Sequence, residues 1–180
     1  MKWRIFMREV QPIRDVEKIE EIKNYLRRKS YRNYFLFEMG INVGLRIGDL
    51  LKLKVKDVAD KTHIIIREEK TKNVKGKGEK KFKINDALRL EIKEYTKGMS
   101  SNDYLFPSRT GQGSKPISRI MAYYILKDAA NHVGIEDIGT HTLRKTFGYH
   151  FYKQYQDIAL LQRTFNHSSP SITLRYIGIS

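Results

Sequence analysis

The sequence predicts an α+β fold, mainly α: one helical domain over residues 1–180 that carries a small three-stranded antiparallel sheet. Three observations predict it. Apolar residues recur at helical spacing along most of the chain. Helix start and stop residues stand at the ends of those stretches. The strand-like pattern gathers in the middle, as the β-branched run Ile64-Ile65-Ile66 and the alternating Lys81–Ile84.

The elements follow in order. Val16, Ile19, Ile22 and Leu26 lie on one helical face, with Asp15 placed to cap it. A second helix is expected over Tyr31–Asn42, apolar on most faces and therefore central, with Gly44 as its stop. A short helix around Ile47–Leu53 comes next, then antiparallel strands within Val55–Arg67 and over Lys81–Ile84. Between the strands, Lys70–Lys81 holds six lysines against one glutamate, as a solvated hairpin tip or a polyanion contact would. Helices resume over Asp86–Lys97, with Asp86 as cap and Leu88, Ile92 and Tyr95 as the buried stripe. Pro107, Gly111, Gly113 and Pro116 mark Tyr104–Pro116 as a loop. Further helices are expected from Ser118 to about His132, from His141 to about Tyr152 with Thr140 as cap, and over Asp157–Phe165. The last has Ser169 as cap and Pro170 in the first helical position.

Charge narrows the partners. Thirty-five Lys and Arg against 20 Asp and Glu give a net +15, which favours polyanions. A membrane surface is the polyanion to set aside: there is no apolar stretch near twenty residues and no lipidation signal. Arg4 and Arg8 interrupt the mildly apolar first residues, so they cannot form the core of a secretory signal. With no cysteine, disulfides, thiolate metal sites and cysteine nucleophiles are excluded, and a cytoplasmic location is expected. No P-loop motif is present, and His63, His132 and His150 show no metal-ligand spacing.

The chemistry gathers in the last forty residues. His141 and Arg144, three residues apart at a helix start, share a face beside free backbone N–H groups and the positive end of the helix dipole. That is a seat for an anion. An isolated H-x-L-R is more often a helix start followed by a surface cation, but the residues downstream argue otherwise. His167-Ser168-Ser169 leads into the final helix, and Arg175-Tyr176 lies on it. Two histidines, an arginine and a tyrosine can hold a phosphate and attack it with a phenol oxygen.

The order H-x-L-R, H-S-S, R-Y resembles the tyrosine recombinase (phage integrase) family, over about residues 12–177. Upstream, Gly44-Leu45-Arg46 with Asp49 three residues on resembles the first arginine motif of that family. The resemblance implies a catalytic set of Arg46, Lys72, His141, Arg144, His167 and Tyr176, with Asp49 supporting the arginine. The lysine rests on Thr71-Lys72-Asn73 matching a T-K-T, and Lys70 stays open as an alternative. Lys70, Lys75 and Lys77 are expected to contact DNA. Asn166 stands where the family often has Gly, and only four residues follow Tyr176, short for the tail by which members dock on a neighbouring subunit. No segment is long enough for the N-terminal core-binding domain of the family, which is expected to be absent.

The implied function is site-specific DNA recombination, with strands cleaved and rejoined through a 3′-phosphotyrosyl intermediate and a free 5′-hydroxyl. No metal, nucleotide or other cofactor is implied. The expected partners are double-stranded DNA and other recombinase subunits assembled on it. Arginine forks suit the phosphate oxygens, and the cations around Tyr176 are expected to favour phenolate. Two other readings compete. Asp157–Tyr176 resembles a helix-turn-helix of a non-catalytic DNA-binding protein, which leaves Arg46-x-x-Asp49 and His141-x-x-Arg144 unexplained. Glu68-Glu69-Lys70 contains the E-x-K of metal-dependent nucleases, without a convincing upstream acidic partner.

Overall fold

A computed structural model describes residues 9–67 and 78–179. Lys70, Lys72, Lys75, Lys77 and the E-x-K of Glu68–Lys70 lie outside the described residues. Helix α1 (Val16–Lys29) starts where Asp15 accepts a hydrogen bond from the Glu17 amide at 2.9 Å, and it buries Ile19, Ile22 and Leu26. Ser30 ends α1 and caps α2 (Tyr31–Val43). Eight of the 13 residues of α2 are buried, which makes it the central helix, packed on by α1, α5 and α7.

Two glycines bring α2 and α7 (Thr142–Tyr155) into close approach. A Cβ on Gly40 would fall within 3.0 Å of three Leu143 side-chain atoms. Gly44 closes α2 in the left-handed region at φ 81°, where a side chain would also strike the Phe147 ring. The chain leaving α2 is thus pressed onto α7. Arg46, two residues later, is delivered beside the start of that helix.

Helices α3 (Ile47–Leu51) and α4 (Val55–Val58) come next. The strand expected within Val55–Arg67 forms only from His63 on; ahead of it Asp57 accepts from the Lys54 amide at 2.8 Å and winds one helical turn that buries Val55 and Val58. The sheet has two strands among the described residues, not three. Strands β1 (His63–Ile66) and β2 (Lys80–Lys83) pair antiparallel, with buried Ile64 opposite buried Phe82. Helix α5 (Asp86–Tyr95) is capped by Asn85 rather than Asp86: the Asn85 side-chain Oδ1 accepts from the Leu88 amide at 2.8 Å. The expected loop leads to α6 (Arg119–His132), capped by Ser118.

After α7 come α8 (Ile158–Phe165) and α9 (Pro170–Tyr176). A seven-residue helix does not hold in water by itself. A small apolar cluster holds α9: Leu161, Phe165 and Ile177 are buried, with Phe147, Phe151 and Tyr176 packed around them. Each such burial is worth about 1.5–3 kcal/mol. Among the described residues no helix is long and apolar enough to cross a membrane.

Candidate active site

The start of α7 differs from the expected pattern. Thr140 does not cap it. Helix α7 begins at Thr142, whose hydroxyl accepts the Gly139 amide at 2.9 Å, and His141 holds the N-cap position without a side-chain cap bond. His141 is exposed, while Arg144 one turn on is 3% exposed. The Arg144 guanidinium carbon lies 4.5 Å from the centre of the Phe165 ring, and Arg144 donates a hydrogen bond to the Tyr176 hydroxyl.

Arg46 stands half-buried at the N-cap position of α3, and Asp49 is buried one turn later. Burial pulls the pKa of Arg46 down first, repulsion from Arg144 adds to that, and Asp49 works against both. Arg144 is lowered chiefly by burial too, with Tyr176 and Asp49 opposing. One carboxylate therefore serves two guanidinium groups. The excess positive charge in a partly desolvated place is what a phosphate dianion or diester would neutralise.

Tyr176 and His167 come from the α8–α9 turn. Asn166, left-handed at φ 58°, reverses the chain, and the His167 amide donates back to the Gln162 carbonyl at 3.0 Å. Ser169 caps α9 with Pro170 in first position, as expected. The His167 ring lies 5.0 Å from the Tyr176 ring at 69°, and its Nδ1 is 2.9 Å from the Thr173 hydroxyl. The pKa of His167 is lowered by burial and then by Arg144, Arg46 and Lys80, so the ring is neutral at neutral pH. Tyr176 goes the other way. Burial pushes its pKa up, and this outweighs the lowering by Arg144, by Arg46 and by the Arg144 hydrogen bond. The cations favour phenolate, as expected, but burial outweighs them, so the phenol is harder to ionise than a free one and calls for a base.

Four neighbours of the site were not anticipated. Phe165 forms the floor under Arg144 and packs edge-on to Tyr176 at 5.4 Å. Thr173, fully buried, sets the His167 ring; its spacing of three before Tyr176, on one helix face, was the available signal. Lys80 donates to the Arg163 and Thr164 carbonyls at 3.0 and 3.1 Å, at the negative end of the α8 dipole. It moors β2 beside His167. Lys145 lies against the Tyr176 ring. Among the described residues there is no group of three or more His, Asp or Glu placed to hold a metal ion.

Residues 14–180 match the phage integrase family. The chain is 60% identical over 171 residues to the probable integrase/recombinase YoeC of Bacillus subtilis (strain 168), covering 94% of this chain and 90% of that protein. It is 26% identical over 174 residues to tyrosine recombinase XerC of Staphylococcus epidermidis, covering 92% of this chain and spanning 55% of that protein. In fold it matches the crystal structure of XerA recombinase with a TM-score of 0.75 at 20% identity, over 96% of this chain and 62% of that one.

Proposed function

The chain belongs to the phage integrase family, and from that premise we propose that it performs site-specific DNA recombination, cleaving and rejoining strands through a phosphotyrosyl link to Tyr176. The observation that supports the reading most is a shared environment: Arg144 hydrogen-bonds the phenol of Tyr176, Arg46 and Arg144 both act on that oxygen, and the His167 ring packs against it.

In this mechanism the scissile phosphate settles between Arg46 and Arg144, adding negative charge to that which Asp49 supplies. The two guanidinium forks hold the non-bridging oxygens. The Thr173 hydroxyl pairs with His167 Nδ1 at 2.9 Å and also reaches the Ser169 carbonyl at 3.4 Å. With Nδ1 so engaged, Nε2 is the position from which the ring donates to the phosphate. One preorganised donor of this kind is worth about 10²–10³ in rate. His141, exposed at the start of α7, takes the phenol proton as general base and exchanges it with solvent.

The Tyr176 oxygen attacks phosphorus, the bond to the 5′ oxygen breaks, and a lysine donates the proton that makes a free 5′-hydroxyl. Lys72 is assigned that proton, with Lys70 as its alternative, and Lys70, Lys75 and Lys77 bind the DNA backbone. A phenolate leaves phosphorus more readily than an alkoxide, so a second 5′-hydroxyl reverses the step and joins a new strand. All the chemistry comes from side chains, without metal or nucleotide. Further copies of a recombinase assembled on the DNA supply the partner strands, and a DNA substrate implies a cytoplasmic location. A nicked duplex that loses its short 5′-hydroxyl fragment tests the reading: a protein–DNA complex that resists SDS and yields to protease is expected, and its absence on every candidate site refutes it.

A further inference from the structure

Lys145 follows Arg144 in the chain and is 6% exposed. A lysine ammonium is strongly hydrated and rarely buried without a specific use. This one joins two parts of the molecule. Its Nζ donates to the Val10 carbonyl at 2.9 Å and stands 4.9 Å from the centre of the Tyr176 ring. Glu9, 3.7 Å away, is mostly exposed and adds little.

The segment that anchors Lys145 is itself fixed to α7. The Ile13 amide donates to the Thr146 hydroxyl at 3.0 Å, and the Ile13 carbonyl pairs with His150 Nε2 at 2.8 Å. Val10 packs onto Gly139 so closely that a Cβ there would lie 2.7 Å from a Val10 methyl. The ammonium therefore has a set position rather than a mobile tip. It meets Tyr176 at the ring face, whereas Arg144 and Arg46 act at the oxygen and His167 and Phe165 pack edge-on.

We propose that Lys145 is a positioning residue for the nucleophile, holding the Tyr176 ring by its face and favouring the phenolate that forms as the proton leaves. The physics is differential. A cation over a neutral ring is attracted by the ring quadrupole. Once the phenol ionises, negative charge spreads into the same ring and the attraction deepens, so the contact strengthens along the reaction path. Among the described residues, the charged groups that face Tyr176 are Arg144 and Lys145 from α7, Arg46 from the start of α3 and, at low pH, His167; removing Lys145 leaves the groups at the oxygen in place. The inference rests on Tyr176 being the nucleophile.

The experiment compares Lys145→Met, Lys145→Arg and Tyr176→Phe in the full chain, measuring duplex affinity and single-turnover adduct formation on a nicked substrate across pH. Lys145→Met keeps length and packing but loses charge. It should bind DNA within about twofold of the parent protein, form adduct about tenfold more slowly, and need a higher pH to reach half its plateau rate. Lys145→Arg should restore most of the rate. Should Lys145→Met not fold, Lys145→Gln carries the same comparison. The proposal is overturned if the Met variant cleaves as fast as the parent, or if Met and Arg are equally slow with an unmoved pH profile, which is the mark of packing alone. Adduct from Tyr176→Phe would instead overturn the nucleophile, a separate result.

Discussion

Asp49 is a carboxylate that opposes both Arg46 and Arg144 among the described residues, and replacing it with Asn tests how the phosphate seat is held. The side chain is 8% exposed and Arg144 is 3% exposed, so little water is at hand to take over. Removing one partner from a buried ionic group typically costs 3–5 kcal/mol, and since Asn keeps the shape and one acceptor the lower end, about 3 kcal/mol, applies. For a chain of this size each kcal/mol moves the melting temperature by about 2–4 °C, so Asp49→Asn should melt about 6–12 °C lower in differential scanning calorimetry. Duplex DNA should then raise the melting temperature of the variant more than that of the parent protein, because the phosphate brings back the missing negative charge. A variant that melts within about a degree of the parent, or an equal upshift by DNA in both, would refute the argument that one carboxylate balances two arginines.

Three further predictions concern binding and chemistry. With a net charge of +15, duplex affinity should fall steeply with salt, with a linear log–log slope reporting several displaced counterions; a flat slope measured by anisotropy rules out the electrostatic footprint. Adduct formation should persist in excess EDTA and without ATP, whereas loss with EDTA and recovery with magnesium would replace this mechanism by a metal-dependent nuclease. Alanine replacements of Lys70, Lys72, Lys75 and Lys77 should single out one general acid. That variant should be slow on a normal 5′ oxygen and rescued by a 5′-bridging sulfur, which leaves without a proton; rescue in Lys70→Ala in place of Lys72→Ala would reassign the role.

Most helices were legible because their ends are written in local chemistry. Asp15, Ser118 and Ser169 cap with their own side chains, and Gly44 takes the left-handed turn that only its lack of a Cβ makes cheap. Errors fell where two neighbours compete for one role. Asn85 outcompetes Asp86 for the Leu88 amide, and Thr142 serves Gly139 where Thr140 was expected to cap. Val55–Val58 has β-branched residues that favour a strand, yet the Asp57 bond to the Lys54 amide and burial of both valines turn it helical.

The candidate site was legible as a list of residues and not as an environment. Arg46, Asp49, Arg144, His167 and Tyr176 follow from motif order. That Arg144 is buried on Phe165, that Thr173 orients His167, and that burial outweighs the cations at Tyr176 depend on how α8 and α9 fold back on α7. A helix-turn-helix reading of α8 and α9 does not account for the face that Thr173 and Tyr176 turn toward His167 and Arg144.

The most direct test of the central claim is to trap the protein on a nicked DNA substrate, digest the complex and identify the DNA-linked residue by mass spectrometry, with Tyr176→Phe alongside. Tyr176 should carry the 3′-phosphate. The Phe variant should bind DNA and melt near the parent temperature, since it loses one oxygen and keeps the ring, yet give no complex. A linkage mapped to Tyr152 or Tyr155, or an adduct that survives in Tyr176→Phe, would contradict the account.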